Sequence, residues 1–420
     1  MKYQVTFAGL IASFTLFSQT QFNSKTLSIG QNYPNQAFYS LENGEVANED
    51  NINWDLAFSA TGLNSTFRIN HAAGAKVWLY PNGGFDQWNS MDTNGLSAWP
   101  ELINSTESWE MGALSQPADP TDQFDLGWGT YDIITHQVTG DRVFILQTRN
   151  GEYKKLLVES LASGTYHVKT ANLDGSREEN HDFVKGDFAN RNFGYFDFDS
   201  GNTLDREPAR SDWDLLFTKY GEEIQMGPGN TVVYGVSGVL ANTDVETMKL
   251  YPLDDVYTEQ DTFSGTFDAS ISAIGRSWKS FDRINMAWNI EDSTAFLVKT
   301  KDNAVWQVVF TGFTSDGTYA FDQKKLSEGT TSVNEKVAGR VLNVFPNPAN
   351  DLVQVALDLP QNQRVDFKLY SLQGQLMQQH TETVGGFTTT SINVNSVPTG
   401  IYLLNIEGEH FSVTQRIVKQ

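Results

Sequence analysis

The sequence predicts an all-β protein: two tandem antiparallel β domains followed by a small C-terminal β-sandwich. Three observations predict it. The run Asn53-Trp54-Asp55-Leu56-Ala57-Phe58 returns as Asp212-Trp213-Asp214-Leu215-Leu216-Phe217, so the body of the chain is a duplication. Short stretches of alternating apolar and polar residues, bounded by Gly, Pro, Asn or Asp, recur along the length, as strands with one buried face require. No long segment carries the 3.6-residue period of an amphipathic helix.

Taken in order, the chain opens with Lys2 and an apolar run from Val5 to Phe17, too short to span a bilayer, with small residues near Ser18 and Thr20. Residues 1–20 therefore read as a signal peptide. The first β domain is expected at 21–180. Its Trp-Asp-Leu-x-Phe motif reads as a central strand, preceded by the alternating run Phe38-Tyr39-Ser40-Leu41-Glu42-Asn43-Gly44. Between Lys76 and Trp128 the turn formers are dense and Trp88, Trp99, Trp109 and Trp128 are scattered among them, which predicts surface loops bearing aromatic residues.

The second domain is expected at 181–326. Tyr195-Phe196-Asp197-Phe198-Asp199-Ser200-Gly201 repeats the run before the motif. Ala295 to Thr300 repeats Val143 to Thr148, and Gly317-Thr318-Tyr319 repeats Gly164-Thr165-Tyr166. Residues 327–340 are small, polar and unpatterned, as a linker is. From 341 to 420, four short alternating strands between Gly, Pro and Asn predict an immunoglobulin-like sandwich, with room for seven strands.

Composition narrows function. The chain has no cysteine, which excludes disulfides, thiolate metal sites, thiol catalysis and a lipid-bearing N-terminal cysteine. A net charge of −22 argues against nucleic acid or an anionic membrane as partner. After the leader no segment approaches the roughly 18 apolar residues of a membrane span. No G-x-S-x-G, H-E-x-x-H or phosphate-loop pattern is present, so the chain reads as a non-enzyme. Acidic residues suggest calcium at Asp197, Asp199 and Asp205, or at Asp119, Asp122 and Asp125, although the Asp197 run lacks the Gly and Glu spacing of an EF-hand loop.

The tail from about Leu342 to Gln420 resembles the type A C-terminal sorting domain of type IX secretion in Bacteroidota. The resemblance rests on Phe345-Pro346-Asn347-Pro348-Ala349, the strand-turn through Gly374, Pro398-Thr399-Gly400-Ile401-Tyr402, and the terminal Arg416-Ile417-Val418-Lys419. It implies export across the outer membrane, with the translocon as partner and a secreted or cell-surface destination.

The repeats resemble HmuY-like domains, haem-carrying surface proteins of the same phylum, through Phe38 to Val46, Asn53 to Phe58, Arg68-x-Asn70 and Arg142-Val143-Phe144. That resemblance implies haem as a cofactor, with His136 and Met111 as iron ligands and Arg142 or Tyr131 beside the propionates. The second copy has no histidine between Phe193 and Leu326, so its candidates are Met226, Met248 and Met286. His71 and His167 flank strands and read as structural. A different reading makes the protein a structural or adhesive module that holds glycan or protein on the loop aromatics.

Overall fold

The computed structural model describes residues 21–61, 65–227, 229–258, 265–328, 340–371, 374–408 and 411–419. The expected signal peptide at 1–20, and residues 329–339 of the expected linker, lie outside the described residues. Within them helix is confined to short 3-10 turns such as Phe85–Ser90 and Lys185–Phe188. Everything else regular is antiparallel β, as the alternation requires.

Three strands come first: β1 (Asn23–Ser28), β2 (Asn35–Ser40) and β3 (Gly44–Asp50). The first Trp-Asp-Leu motif leads into β4 (Leu56–Ser59), β5 (Phe67–Ile69), β6 (Lys76–Leu79) and β7 (Glu101–Leu102). Then come β8 (Gly129–Asp132), β9 (Gln137–Gly140), β10 (Val143–Gln147), β11 (Tyr153–Ala162) and β12 (Thr165–Asn172). The pattern restarts with β13 (Glu179–Val184), β14 (Phe193–Asp197) and β15 (Asn202–Leu204). The second motif leads into β16 (Leu215–Gly227), β17 (Asn230–Ala241) and β18 (Glu246–Leu250). The body closes with β19 (Lys279–Asp282), β20 (Ala287–Ile290), β21 (Ala295–Lys299), β22 (Val305–Phe313) and β23 (Thr318–Ser327).

Hydrogen bonding exchanges the leading three strands of the two copies. Strand β2 pairs with β16, setting Tyr39 opposite Leu215, and β1 pairs with β23. Reciprocally, β14 pairs with β4, setting Phe196 opposite Leu56, and β13 pairs with β12. One sandwich is therefore continuous in sequence from β4 to β15, with sheet order β15-β14-β4-β5 facing β13-β12-β11-β10-β6-β7. The other is assembled around it from β1 to β3 and β16 to β23, with orders β3-β2-β16-β17 and β1-β23-β22-β21-β18. We call them the inner and outer sandwiches.

Each has its own core. Leu56, Phe58, Trp128, Phe144, Tyr166 and Phe196 fill the inner one; Tyr39, Phe217, Trp278, Phe296, Phe310 and Phe321 fill the outer one. Burying a side chain of this size is worth about 1.5–3 kcal/mol, and the rings meet edge to face, as at Phe67–Tyr166 and Phe217–Tyr319. Gly194 is required by this packing, since a Cβ there would stand 2.3 Å from the Phe58 ring.

The repeated motif has a different burial from the single buried face that its alternation suggests. Leu56 and Phe58 enter the inner core, while Trp54 and Ala57 pack on the opposite side with Phe193 and Tyr195. In the second copy Leu215 and Phe217 enter the core, and Trp213 and Leu216 pack with Phe38 and Leu240. Both sides are buried because the two motif sheets lie against each other, and Trp109 packs on both clusters at this seam. The Trp109 indole N–H donates to Ala241 O at 2.8 Å, and Asn192 donates to Asn242 at 2.8 Å across it.

The motif aspartates clasp the exchanged strands. Buried Asp55 accepts from Arg149 N at 2.8 Å and from Phe198 N, just past β14, at 3.0 Å. Asp214 accepts from Leu41 N, just past β2, at 2.8 Å.

The tail forms its own sheet from β24 (Arg340–Phe345), β25 (Leu352–Ser371), β26 (Leu376–Asn393), β27 (Gly400–Glu407) and β28 (Ser412–Lys419). Where the sequence leaves room for seven strands, the described residues form five. The long β25 and β26 pair with each other on both sides of a register shift between Leu359 and Gln363, so each serves twice. Val355, Leu357, Phe367, Leu369, Leu404 and Ile417 fill the space between.

Candidate functional site

Two places gather the chemistry-bearing side chains of the body: the tip of the β8–β9 hairpin, and a cleft in the seam between the sandwiches.

At the hairpin, Asp132 Oδ1 accepts from Ile134 N and Thr135 N at 2.7 and 3.0 Å, which closes the turn and leaves His136 at φ +57°. His136 is exposed and its Nδ1 lies 2.9 Å from the Tyr131 hydroxyl. Tyr131 in turn stacks on Phe124 with centroids 6.3 Å apart. Ile133 and Ile134 stand exposed between them, Ile134 at 85%. The hairpin thus brings together two of the sequence-predicted residues, His136 and Tyr131.

Arg142 is committed to Asp125, through two hydrogen bonds of 2.7 Å. That ion pair holds the Asp125 carboxyl down to about 2 and raises the Arg142 guanidinium, each chiefly through the shared hydrogen bonds. Met111 is 47% exposed, and its carbonyl accepts from Ser105 N and Arg68, so its backbone neighbours belong to the seam rather than to the hairpin.

The outer sandwich repeats the hairpin. Asp282 Oδ1 accepts from Ile284 N and Asn285 N at 2.8 and 3.1 Å, Ile284 is 92% exposed, and Met286 at φ +49° occupies the position of His136. Of the other methionine candidates, Met226 is exposed and Met248 is buried.

The acidic candidates are divided. Asp197 and Asp199 both pair with Arg149 at 2.7 Å, beside Asp55, so a guanidinium sits where the sequence pointed to a cation. Asp205 pairs with Arg191 at 3.1 Å instead. Asp119 accepts from Thr121 N, and Asp125 accepts from Asp119 N, which is turn chemistry. No group of three metal-ligating side chains is found among the described residues.

The loop tryptophans turn inward. Trp128 is fully buried and donates to Ser65 O at 2.7 Å; Trp88 is buried and donates to Glu178 at 2.8 Å. Trp99 packs on Tyr80 and Trp109 on Phe193. Turn-rich composition placed these loops at the surface correctly as backbone, but the indoles fold back onto the sheets. Buried His71 is held neutral, its imidazole pushed down to about 4 first by burial and then by Arg68.

The seam cleft escaped the sequence reading, because it needs both copies and the strand exchange. Its cavity is about 80 Å³, lined by Phe38, Trp54, Arg68, Tyr195, Glu207 and Trp213 among others. Arg68 is buried with its face 4.9 Å from the Trp109 ring centre and donates to the carbonyls of Ser105 and Ser108. Glu207 accepts from Asn192 N, Phe193 N and the Tyr195 hydroxyl; burial nevertheless pushes its carboxyl up to about 7.

In the tail, the separate motifs meet. Asn347 Nδ2 donates to Arg416 O at 2.7 Å, its Oδ1 accepts from Val418 N at 2.9 Å, and Ala349 N donates to Val418 O. Phe345, Pro346 and Pro348 flank this stitch, and Lys419 pairs with Gly400 and bridges to Ala349. Gly374 turns the chain at φ +83°, and buried Tyr402 donates to Pro398 O at 2.7 Å. Residues 343–420 match the family described as the secretion system C-terminal sorting domain. This tail is a type IX sorting domain.

The sorting domain makes the chain a substrate of type IX secretion, bound for the outer cell surface or the medium. No described helix is long and apolar enough to cross a membrane. No curated protein matches the sequence. Among solved structures, the trimeric ectodomain of the C. elegans fusion protein EFF-1 is similar at 9% identity, over 66% of this chain and 66% of that one, with a TM-score of 0.16. A mutant of that ectodomain scores likewise, at 9% identity over 66% and 68% with a TM-score of 0.16. At that score the likeness carries no statement about fold or function.

Proposed function

We propose that the body preceding the sorting domain is a non-enzymatic carrier of haem or a related tetrapyrrole, built from two HmuY-like repeats, with His136 as its iron ligand. One observation carries the reading. Tyr131 holds His136 by Nδ1, which leaves Nε2 for a metal, and the two exposed isoleucines beside it offer apolar contact to a macrocycle face. A ligating imidazole generally has its second nitrogen fixed by such a hydrogen bond, which sets tautomer and ring direction. Were haem bound, His136 would be the residue holding its iron, with Ile133 and Ile134 against the macrocycle.

Titration of the secreted protein with haemin is expected to shift the Soret band with one equivalent bound at the inner sandwich. His136→Ala is expected to abolish the shift, and Tyr131→Phe to weaken it. A spectrum equal to that of free haemin in the wild type would remove the proposal.

A further inference from the structure

Donors that lack acceptors lie in the seam cleft, at Trp213, and beside it, at Arg206. In the first motif the Trp54 indole N–H donates to Asn51 Oδ1 at 2.9 Å. Three residues before Trp213 the chain carries Arg210 instead, a side chain with no acceptor to offer. Trp213, 3% exposed and part of the cleft lining, has an indole nitrogen without a partner. Arg206, 6% exposed, uses Nη2 on Asp50 O, while its Nε and Nη1 have none. Its guanidinium lies over the lining ring of Tyr195, at 5.0 Å.

Charge points the same way. The lining guanidinium of Arg68 is satisfied by carbonyls rather than by a carboxylate, and the Glu207 carboxyl next to Arg206 is occupied by three protein donors. Arg206 feels Glu49, Asp50 and Glu207 but leaves two of its nitrogens unpaired, while the hydrogen bonds of Arg68 go to carbonyls alone. Buried donors and buried cations are normally matched by acceptors and anions.

We propose that the seam cleft binds a small monocarboxylate, its oxygens accepting from Trp213 Nε1, its charge balanced by Arg68 and Arg206, and its apolar end against Phe38 and Trp54. The cavity of about 80 Å³ is roughly half the 150 Å³ space that admits a benzene ring, which limits the ligand to the size of formate, acetate or propionate. The proposal is independent of haem, because it uses none of the hairpin residues.

The test uses the full secreted chain with its tryptophans labelled with ¹⁵N at the indole nitrogen. Titration with sodium acetate and sodium formate, against sodium chloride at matched ionic strength, is expected to move one indole resonance saturably with the carboxylates only. Trp213→Phe, which keeps the ring edge against Phe38, is expected to remove that resonance and to weaken acetate binding by calorimetry at least tenfold. Should that variant not fold, Arg206→Lys is expected to weaken acetate binding in the same assay. Identical titrations with acetate and chloride would show that the cleft holds water alone and overturn the proposal, as would unchanged acetate affinity in the folded variants.

Discussion

Replacing Lys279 by methionine is expected to stabilise the outer sandwich, and to do so in a pH-dependent way. Lys279 is buried, donates to Ser237 O, and sits among three rings, with Nζ 4.6 Å from the centre of Phe313, 4.8 Å from Trp278 and 5.2 Å from Trp288. Burial first, then Arg276, pushes its ammonium down to about 7, with Glu222 opposing. A fall from 10.5 to about 7 corresponds to about 5 kcal/mol against the charged form, at 1.36 kcal/mol per pH unit. At pH 7 the unfolded chain holds this proton fully and the folded one only half the time, which leaves a cost of about 4 kcal/mol.

Methionine keeps the length of the stem and removes the charge, at the loss of one hydrogen bond worth about 1 kcal/mol. The expected gain at pH 7 is thus about 2–3 kcal/mol. The sign with pH follows from proton counting. Between pH 7 and 10.5 the unfolded state binds more protons, so wild-type stability rises with pH, by at most about 1.4 kcal/mol per unit, and the variant lacks that rise. Urea unfolding of both proteins at pH 7, 8, 9 and 10, followed by tryptophan fluorescence, measures the difference. Parallel stability curves for wild type and Lys279→Met across that range would refute the reasoning.

Glu207→Gln acts in a different window with opposite sign. The folded carboxyl keeps its proton up to about 7 and the unfolded one loses it near 4.5, so wild-type stability declines as pH rises between those values, and the variant is expected to flatten that decline in the same unfolding assay. Asp55→Asn is expected to cost about 3 kcal/mol, because it breaks a buried ion pair with Arg149; Asp214→Asn, which weakens mainly the bond from Leu41 N, is expected to cost about 1 kcal/mol by denaturant midpoint. Asn347→Ala removes two hydrogen bonds to β28 and is expected to retain protein in the periplasm, read by fractionating cells and medium.

Local pattern made the all-β class, the duplication and the sorting tail legible, because each depends on residues close in sequence: alternation in β12 and β23, the turn at Gly374, the Phe345-Pro346-Asn347-Pro348 run. The strand exchange was not legible. Strands β2 and β14 are both short, apolar runs of like pattern, so each fits beside β4 or β16 with the same hydrophobic face inward, and nothing local distinguishes the two pairings. What decides is the path of the connections, a long-range matter. The same limit hid the inward turn of Trp88 and Trp128, whose partners Glu178 and Ser65 lie far along the chain. It also hid the difference between the two motif indoles, since Asn51 accepts from Trp54 and the corresponding position before Trp213 is Arg210.

The nested order of the sandwiches sets a timetable for assembly. The inner body is one uninterrupted piece and has all its partners as soon as β15 exists. Strands β2 and β3 pair with each other, but β2 waits for β16, with Tyr39 opposite Leu215, and β1 waits longer still for β23, with Asn23 opposite Gln323. Pairings this distant in sequence form slowly. The leading edge of the outer sandwich is therefore the last part of the body to find its partners, although it is the first part of the body in sequence.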